Sequence, residues 1–163
     1  MDELKKKILK LLKEDARFSA SEIAAMVGKT EKEVASAIAE MENSGIIVKY
    51  TAVVNTEKTG EDYVDALIEV KVTPQPRRGF DAIAEEIYRL EEVKAVYLMS
   101  GTYDLAITLE SKTMRDVSLF VSERLAPIDA VISTATHFIM KQYKEGGVIL
   151  DNGEVSGRLP VHE

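Results

Sequence analysis

There is no cysteine among the 163 residues, which removes disulfides, thiolate nucleophiles and cysteine zinc sites together and fits a reducing compartment. Long apolar runs are missing too. No stretch approaches the ~20 apolar residues that span a bilayer, and Met1-Asp2-Glu3-Leu4-Lys5 does not open a basic segment followed by an apolar one. A cytoplasmic chain without a membrane partner is expected. Histidine is limited to His137 and His162, and no metal or cofactor is called for. Positive charge is in deficit: a net charge of −7 argues against a simple polyanion binder, because nucleic-acid affinity rests mainly on Lys and Arg neutralising phosphates. The deficit is local. Residues 1–60 hold ten basic and ten acidic residues, whereas residues 61–163 hold eleven and eighteen.

What remains is an ordinary globular composition, 45% hydrophobic and 30% charged, long enough for one domain or two small ones. The apolar period decides for two, because it changes near residue 46. Before that point the spacing is helical: Leu4, Ile8, Leu11 and Leu12, then Ile23, Ala24 and Val27, then Val34, Ile38 and Met41. Ser19 or Ser21 caps the second helix and Gly28 closes it. Thr30 and Glu33 form a capping box for the third, and Asn43-Ser44-Gly45 stops it. From Ile46 to Val54 the β-branched and aromatic residues predict a strand or short wing.

Beyond the polar stretch from Asn55 to Gly60, alternation takes over. Val64, Ala66, Ile68, Val70 and Val72 interleave with Asp65, Leu67, Glu69 and Lys71 as in a half-buried strand, which Pro74 and Pro76 end. A helix from Phe80 to Leu90, strands at Val93 to Met99 and Tyr103 to Leu109, a helix at Met114 to Leu125 and a strand from Val131 to Tyr143 complete the order βαββαβ. That order predicts a ferredoxin-like α+β pair of layers, with both helices on one face of an antiparallel sheet. The other face would carry Asp104, Ala106, Thr108, Thr134 and Thr136, and is either solvated or buried against a second copy; the apolar residues that share it favour a homodimer. The expected organisation is a helix-turn-helix with its following strand at 1–54, a linker at 55–62, a ligand-binding and dimerisation domain at 63–144, and a C-terminal tail at 145–163. In that tail the turn signal Asn152-Gly153 suggests a hairpin or an arm.

Two places carry candidate chemistry. A helix-turn-helix needs a small residue where its helices touch, Gly in the turn and apolar residues behind the second helix, and Ala24, Gly28, Val34 and Ile38 supply them; an ordinary three-helix bundle needs the same. In the DNA-binding case Lys29, Thr30, Lys32 and Ser36 face double-stranded DNA, with Arg17, Lys49 and the lysines Lys5, Lys6 and Lys7 on phosphates. Against this, residues 29–44 set two Lys against Glu31, Glu33, Glu40 and Glu42. Weak, strongly salt-dependent binding is therefore expected, with joined half-sites compensating through avidity. The second place is the turn Gly101-Thr102-Tyr103-Asp104, where backbone N–H donors sit beside a carboxylate. A free amino acid needs that pairing, because its carboxylate takes hydrogen bonds and its ammonium needs an anion. Hydroxyls from Thr134 and Thr136 could join, although Gly, Thr and Asp also occur in turns for conformational reasons.

Together, Ile8-Leu9-Lys10-Leu11-Leu12, Asp15-Ala16-Arg17-Phe18-Ser19, Glu22-Ile23-Ala24-Ala25-Met26-Val27-Gly28, Gly45-Ile46-Ile47-Val48-Lys49-Tyr50 and Gly101-Thr102-Tyr103-Asp104-Leu105, with Thr134 and Thr136, resemble the Lrp/AsnC family of feast/famine regulators from about Met1 to Lys144. The resemblance implies a winged helix-turn-helix, a βαββαβ effector domain, dimers that assemble further, and an amino-acid effector held between neighbouring subunits by the turn at Gly101 to Asp104 and by the two threonines. Two departures stand out. Lys29 replaces a usual hydrophobic residue, and Ala37 replaces a usual Arg, which implies the loss of a phosphate or base contact. A transcription regulator, not an enzyme, is the leading expectation. The alternatives are an amino-acid-binding or assembly protein of the same fold with weak or lost DNA binding, and a tetrapyrrole decarboxylase of related architecture, for which the two histidines offer little.

Overall fold

Each of the first three helices begins on a side chain that satisfies its free N–H groups. In the computed structural model, which describes residues 1–74 and 76–150, α1 (Glu3–Glu14) is capped by Asp2, whose carboxylate accepts from the Lys5 N–H at 2.8 Å. Ser19, not Ser21, caps α2 (Ala20–Val27), and Thr30 caps α3 (Glu31–Asn43). Both form complete capping boxes, with the Glu22 and Glu33 carboxylates accepting in return from the backbone of the cap. Gly28 ends α2 in the left-handed region, φ 68°, so that both its own N–H and that of Lys29 reach the Ala24 carbonyl. These three helices belong to a unit covering Met1–Val53, and they close on Ile8, Ile23, Ala24, Val34, Ala37 and Met41.

Two expectations change here. Residues 46–54 form no strand. The N–H groups of Ile46 and Ile47 both turn back to the Met41 carbonyl, and the described residues of the first unit contain no strand for this segment to pair with. β-propensity cannot make a strand without a ladder partner. Ala37 also lies inside the bundle, 6% exposed, so an Arg missing at this position removes nothing from the exposed side of α3.

The second unit starts at Val54, and a single 3-10 turn, Thr56–Lys58, precedes its sheet. The elements that follow are β1 (Val64–Val72), α4 (Asp81–Tyr88), β2 (Val93–Leu98), β3 (Leu105–Ser111), α5 (Met114–Leu119, running on as a π-helical stretch Phe120–Leu125) and β4 (Val131–Ile139). The sheet order is β2-β3-β1-β4, with every neighbouring pair antiparallel, as the α+β ferredoxin-like expectation requires. Ala66, Ile68 and Val70 of β1 and Leu105, Ile107 and Leu109 of β3 bury one sheet face with Ile83 and Ile87 of α4 and Val117, Phe120 and Leu125 of the α5 segment. A short hairpin of β5 (Lys144–Glu145) and β6 (Val148–Ile149) turns through Gly146-Gly147. The turn signal Asn152-Gly153 lies outside the described residues.

Ala37→Arg should destabilise the first unit by at least about 1–3 kcal/mol, the usual cost of overpacking a filled core. Urea unfolding followed by circular dichroism tests this; an unchanged midpoint would place Ala37 on the surface.

Candidate functional site

On α3 the four glutamates that opposed DNA binding have different surroundings. Glu33 serves the Thr30 box, and the backbone N–H of Thr30 holds its carboxyl below the ordinary range; Lys29 Nζ lies 3.4 Å away. Glu40 accepts from Lys5 Nζ of α1 at 2.7 Å, a contact that pushes the Lys5 ammonium pKa up. Glu42 accepts from the Tyr50 hydroxyl at 2.9 Å. No hydrogen bond or ion pair engages Glu31 among the described residues. With Val34, Ala37 and Met41 turned inward, the side of α3 facing away from the bundle carries Lys32, Ala35, Ser36 and Ala39, all exposed. Three of the four acidic groups thus already face a donor in the fold.

The expected phosphate ligands also differ from one another. Arg17 is doubly bonded to Asp15, Nε to Oδ1 at 3.0 Å and Nη2 to Oδ2 at 2.8 Å, and this lowers the Asp15 carboxyl to about 2. Lys5 and Lys6 are paired with Glu40 and Glu3. Lys32 and Lys49 are exposed and make no ion pair among the described residues. Lys29, Thr30, Lys32 and Ser36 share the first turns of α3 and its cap, as the helical spacing required.

In the second unit, the turn from Met99 to Tyr103 and the β1 residue Glu69 enclose a cavity of about 270 Å³, lined by Glu69, Met99, Ser100, Gly101, Thr102, Tyr103 and Leu105. That is near the lower end of small-molecule sites, roughly 300 Å³. Gly101 does not adopt a positive φ, and a methyl group built on it would meet nothing within 4 Å. Its lack of a side chain leaves open space beside the turn. Lys71 Nζ donates to the Thr102 carbonyl at 3.3 Å and tethers the turn to β1.

Asp104 has a structural partner. The β1–β3 ladder ends at Val70 and Leu105, and past that point Asp104 Oδ2 accepts from the Val72 N–H at 2.9 Å, taking the place of a ladder carbonyl. Its own N–H donates to the Val70 carbonyl and its carbonyl accepts from Met99.

The threonines need a correction. Thr134 is paired with Val70 and Thr136 with Ile68, and residues directly opposite in an antiparallel ladder project to the same side. Both therefore lie on the helix-covered face, half-buried, and not on the face with Thr108 and Glu69. Their shared period showed that they face together but not which way; Phe138, paired with Ala66 and packed into the core, sets the direction. The open face carries Ser133, Ala135 and His137 instead, with His137 Nε2 lying 3.1 Å from Glu69 Oε2. Glu69 was not singled out from the sequence. Its signal was available in the alternation of β1, where it is a carboxylate on the side that the helices leave uncovered.

Comparison with known proteins places both units. Residues 1–48 match a winged helix-turn-helix DNA-binding domain model and residues 65–149 an Lrp/AsnC ligand binding domain model. An HTH-type transcriptional regulator of Bacillus subtilis is 42% identical over 162 residues, 99% of this chain and 98% of that protein. Among solved structures, Escherichia coli AsnC superimposes with a TM-score of 0.67 at 21% identity, over 89% of this chain and 95% of its own. A transcriptional regulator of Neisseria meningitidis, solved as a complex with L-Met, gives 0.70 at 22% identity, over 89% and 93%. At those identities the two structures speak for the fold alone.

Asp104→Ala should cost about 1–3 kcal/mol, because it strips the nearly buried Val72 N–H of its acceptor. Thermal and urea denaturation of the ligand-free variant measure this, and a wild-type midpoint would mean that the Asp104 contact is dispensable.

Proposed function

The chain belongs to the Lrp/AsnC family and is a DNA-binding transcription regulator rather than an enzyme; from that premise we propose that an amino acid bound between subunits modulates its assembly or its affinity for DNA. The observation that carries this reading is the cavity beside the Gly101 turn, small, half-polar and next to an uncovered sheet face. The hydroxyls and N–H groups of Ser100, Gly101 and Thr102 suit a carboxylate, Tyr103 supplies apolar surface, and Asp104 holds the turn in shape. Thr134 and Thr136 lie on the helix-covered side of the sheet, away from Glu69, and this reading gives them no contact with the effector. The neighbour solved with L-Met supports an amino acid as the ligand class.

A homodimer follows from the same face. Tyr97, Ile139, Met140 and Tyr143 are 55, 40, 84 and 66% exposed on or just beyond the sheet. Tyr97 of β2 and Ile139 of β4 stand on the open face at its two outer strands, and exposed apolar groups on a sheet face suit association with a second copy.

On the DNA side, Lys29, Thr30, Lys32 and Ser36 meet the major groove, with Arg17 and Lys49 on phosphates. The disposition of the glutamates removes much of the objection raised by the helix's net charge. Competent but salt-sensitive binding is favoured over a protein that has lost DNA recognition.

Two measurements test the proposal. In a thermal-shift screen of the full chain against the twenty amino acids, at least one should raise the melting temperature, since a ligand selective for the folded state stabilises it; twenty flat responses would refute an amino-acid effector. Fluorescence anisotropy with the protein's own promoter region should show a linear fall of log affinity with log salt. Lys32→Ala should lower affinity and flatten that slope by about 0.9 if Lys32 neutralises one phosphate. An unchanged slope would remove Lys32 from the interface.

A further inference from the structure

A zwitterionic effector brings an ammonium that needs an anion, and the cavity beside the Gly101 turn contains one carboxylate in its lining, that of Glu69. Asp104, the acidic residue of the turn itself, is absent from that lining and has Oδ2 turned to the Val72 N–H. We propose that Glu69, not Asp104, is the ammonium-binding and specificity-determining residue of the effector site. This rests on the amino-acid reading above and assigns the half of the ligand that the turn cannot hold.

The surroundings of Glu69 suit that task. It stands on the open face of β1, paired with Ala106 of β3 on one side and Ala135 of β4 on the other, so both cross-strand neighbours are too short to cover it. Its Oε2 lies 3.1 Å from His137 Nε2, which fixes the carboxylate's orientation, and among the described residues Oε1 accepts no hydrogen bond. The side chain keeps 37% of its surface accessible, so a cation can reach it. Lys71, two residues along the same face, is tied to the Thr102 carbonyl and does not pair with Glu69. Ligand ammonium at Glu69 and ligand carboxylate at the Ser100 to Thr102 turn then both meet the lining of one small cavity. A carboxylic acid without an ammonium would leave Glu69 Oε1 without a donor, and an amine without a carboxylate would leave the turn donors unused.

The test uses the full chain as wild type, Glu69→Gln and Asp104→Asn. Each of the twenty amino acids that shifts the wild-type melting temperature is titrated calorimetrically beside its desamino acid, the same skeleton without the ammonium. Losing a charge-assisted hydrogen bond should weaken amino-acid binding by roughly 10- to 100-fold in Glu69→Gln. The ligand-free melting temperature of that variant should stay at the wild-type value, and its preference for the amino acid over the desamino acid should collapse. Asp104→Asn, whose amide oxygen can still accept from the Val72 N–H, should keep both its fold and that preference. A loss below fivefold in Glu69→Gln, or a preference that disappears only in Asp104→Asn, overturns the assignment while the amino-acid reading stands. If wild type responds to no amino acid, both fall together.

Discussion

Strand β1 is hydrogen-bonded along both edges, to β3 from Val64–Ser111 to Val70–Leu105 and to β4 from Asp65–Ile139 to Val72–Val131. Every side chain on it is thereby committed to one of two faces, since a one-residue slip would exchange them all. One parity places Ala66, Ile68 and Val70 against the helices with no exposure at all. At ~25 cal/mol per Å² of buried apolar surface, a slip that sent these residues outward would cost several kcal/mol, so the register is strongly held. The other parity places Leu67, Glu69 and Lys71 on the uncovered face. The candidate effector cavity follows from this, because the register that buries the isoleucine also lifts Glu69 beside the Gly101 turn.

The site lies where that ladder runs out. Past Val70 and Leu105 the β1 backbone still has the Val72 N–H to satisfy, and pairing with β4 shifts register between Lys71 and Val72. Asp104 supplies the missing acceptor, while Lys71 reaches the Thr102 carbonyl. Two side chains thus hold a turn whose own conformation makes no demand for glycine at position 101. A preorganised turn beside an open sheet face can receive a small ligand without first being ordered, which lowers the entropic cost of binding.

In the first unit the governing fact is the partnering of acidic groups. Three of the four α3 glutamates that opposed DNA binding sit where fold contacts use them: Glu33 in the capping box, Glu40 against Lys5 of α1 and Glu42 against the Tyr50 hydroxyl. These exposed contacts contribute little stability each. Their consequence is electrostatic, because a carboxylate beside an ammonium opposes phosphate less than a bare one. Formal charge summed along the helix leaves out the Lys5 partner supplied by α1, while Glu31 and the charge of Glu42 remain. Arg17 is the converse case, a cation that shares its Nε and Nη2 with Asp15 while its side chain stays 90% exposed.

The sequence by itself determined the helices of the first unit and the βαββαβ order of the second, because capping boxes, left-handed glycine stops and the apolar period are local signals carried within a few residues. It also placed a turn around Gly101 between β2 and β3. Tertiary structure alone decided what depends on partners far along the chain. Residues 46–54 have strand propensity but no strand in the first unit to join, Thr134 and Thr136 take the helix-side face because Phe138 does, and Ala37 is buried because it packs into the cluster with Ile8, Ile23 and Val34. Glu69 enters the candidate site for the same reason. A period of two says which residues share a face, but only the pairing of strands says which face the helices cover and which stays open to a ligand.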